Sequence, residues 1–255
     1  LSRINRFSRV TGLSAVLVAG ALILGVSPDG SVSSTTSVRP VELFHPAIRL
    51  NGREEETPNW SGYASTNGPF SSVSASWVQP AATCNGQDSQ TFASFWVGLD
   101  GDGTPTVEQT GTDTDCTGTH AEYTAWFEMY PHAESELFAT VEPGDQMSAS
   151  VTDQGGTFQL VLHDVTRKWS RTEVRTATQA KGATAEVIAE APSAGSKVLP
   201  LTNFGSVNFI GAEADGSQIG QIGVNQFVMG VGPTIEATPS SLLDGMDFYI
   251  TWLHH

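Results

Sequence analysis

The sequence predicts an all-β fold, an antiparallel sandwich or barrel, and three observations carry the prediction. Phe158, Leu160 and Leu162 alternate with Gln159, Val161 and His163, and Met246, Phe248, Ile250 and Trp252 alternate with Asp247, Tyr249 and Thr251. This is the period of two that a half-buried strand shows. Gly, Asp, Asn and Pro punctuate such runs at irregular intervals, as turns between short strands do. Charged residues make up only 15% of the 255-residue chain, and no stretch has the 3.6-residue period of an amphipathic helix.

Further runs of strand character span 73–79, 92–98, 106–110, 122–130, 146–151, 184–190 and 206–210. No internal repeat accompanies them, which excludes a propeller or solenoid. A chain of this length can bury a full core in one large β domain or two small ones.

The first residues read differently. Arg3, Arg6 and Arg9 precede an apolar stretch from Val10 to Val26 and then Ser27-Pro28, the order of a secretory signal. Cleavage could follow Ala21 or Ser27. Ser14, Gly20 and Gly25 interrupt the stretch, which is short for a spanning helix. Residues 28–57 are Ser/Thr-rich and then mixed, ending in Arg53-Glu54-Glu55-Glu56 without periodicity, and read as a linker or short pro-segment. The expected organisation is a signal over 1–27, that linker over 28–57, and a β domain over 58–255. The product is expected to be secreted and monomeric.

The formal charge is −15, from 12 basic and 27 acidic residues. Losing the three leader arginines leaves 9 against 27, or −18. Such a polyanion repels nucleic acid and anionic membranes, so neither is an expected partner. Its self-repulsion relaxes in acid.

Cys84 and Cys116 are the only cysteines, and in an exported chain an even pair reads as one disulfide. Their 32-residue separation excludes a CxxC redox site. The six histidines show neither HxxxH nor HExxH spacing, so no metal or other cofactor is expected.

Alternation also places the polar groups. Gln109 shares a strand face with Val107; Glu122, Thr124, Trp126, Glu128 and Tyr130 share another; Glu186, Ile188 and Glu190 share a third. Side by side, these three faces would floor a groove. No GxSxG elbow and no Asp-Thr-Gly or Asp-Ser-Gly loop occurs, so serine-elbow and paired-aspartate chemistry lack their parts. Carboxylate and amide chemistry remains.

Asn59-Trp60-Ser61-Gly62-Tyr63, Phe95-Trp96-Val97-Gly98-Leu99-Asp100-Gly101-Asp102 and Val107-Glu108-Gln109-Thr110-Gly111 resemble the glutamic peptidases, or eqolisins. So do 125–131 (AWFEMYP), 185–190 (AEVIAE) and 204–209 (FGSVNF), in the same order. The resemblance implies a sandwich of two large antiparallel sheets, of concanavalin-like or jelly-roll type, with a concave active-site groove. It implies a secreted, acid-active endopeptidase on polypeptide substrates, with Gln109 and Glu190 as the catalytic pair. Glu190 would act as base toward water, and the Gln109 amide would hold the oxyanion without titrating.

Around that pair the resemblance places Glu128, Trp60, Trp96, Tyr130, Asp100 and Asp113 as substrate-binding or supporting residues. For Glu128 two roles stay open, a groove acid bonded to Gln109 or substrate and a structural acid; for Asp100 and Asp113 the alternative is loop or turn hydrogen bonding, and for the tryptophans a place in the sandwich core. The chain departs from the family pattern at Val187, commonly Trp, and at Thr124, acidic in some members. Asn59-Trp60-Ser61 is formally a glycosylation sequon, but its place inside a groove motif argues against that use. Two rival functions fit a β-sandwich: a glycoside hydrolase using Glu128 and Glu190, and a non-catalytic carbohydrate-binding domain.

Overall fold

A computed structural model describes residues 42–46, 54–86 and 90–254. The signal expected over 1–27 lies outside the described residues, as does much of the linker expected over 28–57.

Two sheets can be traced from the strand pairings. In the first, His120–Tyr130, Val107–Thr117, Ser94–Leu99, Ala185–Glu190, Trp60–Ser65 and Val224–Val231 lie side by side, all antiparallel. Glu54–Thr57 adds a parallel strand at the far edge, so the end of the stretch read as linker is part of the sheet. The second sheet runs Trp169–Thr176, Thr157–Asp164, Gln146–Asp153, Ser72–Val78, Ser206–Ala214, Phe248–Trp252 and Thr234–Pro239. Thr234–Pro239 also pairs with Val224–Val231, which joins the two sheets. Among the described residues the only helical piece is a 3₁₀ turn, Ile219–Gln221, and no helix is long and apolar enough to cross a membrane.

The core lies between the sheets. Ala185, Val187 and Ala189 face it together with Phe95, Val97, Leu99, Ala125 and Phe127. Val73, Ala75, Trp77, Phe158, Leu160 and Leu162 meet them from the second sheet. The opposite face of the first sheet is also covered, by Trp60, Trp96, Val107, Trp126, Ile188 and Phe227. Strands Trp60–Ser65, Ser94–Leu99 and Ala185–Glu190 are therefore buried at every position. Ser72–Val78, covered on one face, alternates as a half-buried strand should.

Cys84 and Cys116 are bonded, with Cα atoms 5.5 Å apart. The bridge ties the segment after Ser72–Val78 to the end of the Gln109 strand. Closing a 32-residue separation restricts the unfolded chain by roughly 3–4 kcal/mol. Reduction, or Cys84→Ala with Cys116→Ala, is expected to lower the free energy of unfolding by that much, read from urea curves as a lower midpoint. A midpoint unchanged after complete reduction would show that the bridge adds nothing.

Candidate active site

Three cross-strand rows on the outer face of the first sheet build the site. In one row Glu128, Gln109, Gly98, Glu186 and Ala64 stand opposite one another; in the next, Trp126, Gly111, Trp96, Ile188 and Gly62 do. The third holds Thr124, Asp113, Ser94, Glu190 and Trp60. The expected alternation thus puts Gln109, Glu128 and Glu190 on one face. Glycine in the middle row is a steric demand: a Cβ on Gly111 would lie 2.2 Å from the Phe95 carbonyl oxygen and 2.7 Å from the Trp96 Cβ.

All three polar groups are buried. Gln109 Nε2 donates to Glu128 Oε2 at 2.7 Å and to the backbone oxygen of His45 at 3.1 Å. Glu190 Oε1 accepts from Asn59 Nδ2 at 2.9 Å, and its Oε2 accepts from Trp96 Nε1 at 2.8 Å. His45 Nδ1 stands 3.3 Å from the same Oε2. These bonds fix the carboxylate's orientation, so Glu190 is aimed before any substrate arrives.

Burial dominates the electrostatics. It raises the pKa of Glu190 above its ordinary 4.5, against the opposing pull of His45 and the Trp96 bond. Glu128 is pushed up to about 8, by burial first, with His45 opposing and Glu190 reinforcing. Asp113 is pushed up to about 7, again by burial and then by the charge of Glu134. For His45 burial works the other way, but Glu190, Glu134 and Glu128 outweigh it and hold the imidazole well above 6.5.

The other expected residues divide. Asp113 accepts from Ser94 Oγ at 2.6 Å, Trp126 Nε1 at 2.7 Å and Thr124 Oγ1 at 3.2 Å, and so anchors the groove indole. The departure at Thr124 is thereby accommodated by a hydrogen bond. Trp60 packs edge-on to Trp96 with ring centroids 4.9 Å apart, and Tyr130 lies half-buried against the same aromatic cluster. Val187 faces the core between the sheets, opposite to Glu190.

Asp100 stands apart from the pair, in the loop hydrogen bonding that was its alternative reading: it accepts from the backbone N–H groups of Lys181, Gly182 and Ala183 at 2.7–2.9 Å. Its role is to shape the turn that leads into the Glu190 strand.

Asn59, Ser94, Glu134 and His45 belong to the site and were not among the expected residues. Asn59 stood inside a quoted motif, and its sequon is spent: the nitrogen a glycan would use is buried against Glu190. His45 and Glu134 carried no periodic signal.

An amide and two carboxylates thus stand buried on one face of the first sheet, a set suited to carboxylate-and-amide chemistry. The Peptidase A4 family matches residues 58–231, and the chain belongs to it; it is a glutamic-type endopeptidase, with polypeptide substrates. Aspergillopepsin-2 of Aspergillus niger is 27% identical over 201 residues, covering 68% of this chain and 71% of that protein. Scytalido-glutamic peptidase, solved with a transition state analog inhibitor, superposes with a TM-score of 0.67 at 22% identity, over 77% of this chain and 98% of that one. SCP-B, an eqolisin solved with the tripeptide Ala-Ile-His, gives 0.63 at 23%, over 77% and 98%. The solved structures bear out the all-β sandwich.

Proposed function

We propose that the mature protein is a secreted, acid-active endopeptidase in which Glu190 activates water and Gln109 binds the oxyanion. The observation that carries the assignment is the pair of contacts to His45: its peptide carbonyl sits on the Gln109 amide while its ring meets the Glu190 carboxylate. One residue, through its backbone and its ring, therefore reaches both groups at once. An amide N–H aimed at a carbonyl oxygen is placed to strengthen that bond as the oxygen becomes an anion. Glu190, ionised, takes a proton from water and returns it to the leaving amine.

Glu128 sets the upper pH limit. It is hydrogen-bonded to the very amide that serves the oxyanion, so ionising it places a negative charge beside the developing one. Neutral Glu128 and Asp113 are the productive forms, and their pKa values of about 8 and about 7 make them neutral in acid. The acid limb belongs to Glu190, whose base form is lost as pH falls through a pKa raised above 4.5.

The expected result is a bell-shaped profile of kcat/KM on a short peptide, maximal below neutrality, with limbs that report the coupled cluster. A peptide avoids the false acid optimum that acid-unfolded protein substrates produce. Pepstatin, shaped for paired aspartates, should inhibit poorly. Full activity at pH 8, or its abolition by chelators or serine reagents, would refute the mechanism. Assays on polysaccharides test the glycosidase alternative, whose two carboxylates leave Gln109 without a necessary part.

A further inference from the structure

A cavity lies away from the groove, toward the other face of the first sheet. Glu108 follows the alternation of its strand and points opposite to Gln109, with Met129 as its cross-strand neighbour. Strand His120–Tyr130 of the first sheet and strand Trp169–Thr176 of the second both end here. Between their ends is a space of about 280 Å³. None of Gln109, Glu128 and Glu190 lines it.

Its walls are of two kinds. Met129, Pro131 and Ala177 offer apolar surface, whereas Thr106 and Glu108 offer polar groups. Glu108 is only 1% exposed and Thr106 only 7%, yet neither Glu108 Oε2 nor Thr106 Oγ1 has a hydrogen-bond partner in the protein. Buried polar atoms are nearly always paired, so two orphans in the wall of one cavity call for a ligand that pairs them.

The character of the orphans narrows the ligand. Burial, and then the charge of Asp100, push Glu108 up to about 9. Its carboxyl is therefore neutral in acid and at neutrality, with one O–H to donate and oxygen to accept. The Thr106 hydroxyl can do either. No lysine or arginine lines the cavity, and the charges of Asp100 and Asp153 act on Glu108, so an anion is repelled. A cation would have to shed its water beside an un-ionised acid, which is costly. The uncharged group that both donates and accepts from one planar end is the primary carboxamide.

We infer that this cavity binds a primary carboxamide on a short apolar stem, with Glu108 and Thr106 meeting the amide and Met129, Pro131 and Ala177 the stem. A glutamine side chain of a polypeptide has this form, and so has a free alkyl amide. The site does not depend on the peptidase reading, since it shares no side chain with the catalytic pair.

The test uses the full chain with ¹³C-labelled methionine methyl groups. Met129 stands in the cavity wall, its signal is identified by its loss in Met129→Leu, and Met147, Met229 and Met246 serve as internal controls. Acetyl-glutamine methylamide should shift the Met129 signal and bind about tenfold tighter than acetyl-methionine methylamide, the advantage of pairing buried polar groups. Glu108→Met and Thr106→Val should each bring the two compounds within about twofold of one another. Ala177→Phe fills the cavity while leaving both polar groups in place, and should abolish the shift; it keeps the test decisive if a Glu108 variant does not fold.

Propionamide and acetyl-lysine methylamide complete the series. Propionamide binding as tightly as the glutamine compound assigns the site to free amides, and weaker binding by tenfold or more assigns it to a polypeptide residue; either result keeps the carboxamide. Tighter binding of the lysine compound would overturn the inference in favour of a cation site. A Met129 signal that no compound moves, or a shift that persists in Ala177→Phe, would overturn it as well.

Discussion

Glu190→Gln is expected to lower kcat by about 10²–10⁴, the range over which a placed general base contributes, while the protein stays folded. Glutamine keeps the shape of the side chain, but its single oxygen accepts from Asn59 or from Trp96 and not from both, so one anchoring bond is lost. It also loses the capacity to take a proton. Gln109→Ala should cost about 10²–10³ through loss of the oxyanion donor. That change also strips Glu128 of a hydrogen bond, so Gln109→Glu is the companion variant: it keeps the volume and reverses the polarity of the donor. A folded Gln109→Ala protein with more than about a third of wild-type kcat would be incompatible with the donor role. The double variant should fall by little more than the worse single one, because the two groups serve one transition state.

Heating the protein at different pH values should give its highest Tm in acid and a decline toward alkaline pH. Burial pushes Glu108 up to about 9, with Asp100 adding, and drives Glu186 and Asp115 well above the carboxylate range. A group whose folded pKa lies above its unfolded value stabilises fully below the unfolded value. That stability is lost as pH rises from the unfolded to the folded pKa. The window for Glu108 therefore runs from about 4.5 to about 9. Each such acid removes about 1.4 kcal/mol per pH unit inside its window. With Glu128 and Asp113 added, Tm should drop by about 10 °C or more between pH 5 and pH 8. Glu108→Gln should flatten the slope, since it removes one proton from the exchange. A Tm that is level or rising across that interval would show that these carboxyls are ionised in the fold.

Strands covered on one face were legible as alternation. Ser94–Leu99 and Ala185–Glu190, buried on both faces, were read as strands too, whereas Trp60–Ser65 and Trp169–Thr176 were not. Trp60–Ser65 is buried throughout and reads as a motif of small and aromatic residues without a period. Trp169–Thr176, at a sheet edge, is mostly exposed and reads as polar; Arg171 and Arg175 there are the charges that keep an edge from pairing with another chain. The Gln109 strand was read only to Thr110, because Thr112 and Thr114 beyond it are buried through hydrogen bonds and not through apolarity.

The same logic governs the site. Gln109, Glu128 and Glu190 were legible because a period of two assigns each to a face. Asp100 was recognisable as a candidate loop or turn acid, but its partners were not, since they are backbone groups some eighty residues away. His45 and Glu134 act through tertiary placement alone, and nothing in their local sequence announces it.

The rows across the groove sheet have a consequence for how such a protein can diverge. Gln109 and Glu190 stand on strands separated by one other, Ser94–Leu99, so their lateral spacing is two ladder steps, about 9.5 Å. Main-chain amides set that interval, and no side chain can stretch it. Loops and surface can drift freely while the spacing holds. The vulnerable variable is register. A slip of one residue in Ala185–Glu190 would send Glu190 into the apolar interior and bring Ala189 to the groove. Insertions inside these strands, rather than substitutions around them, are the changes such a lineage cannot absorb.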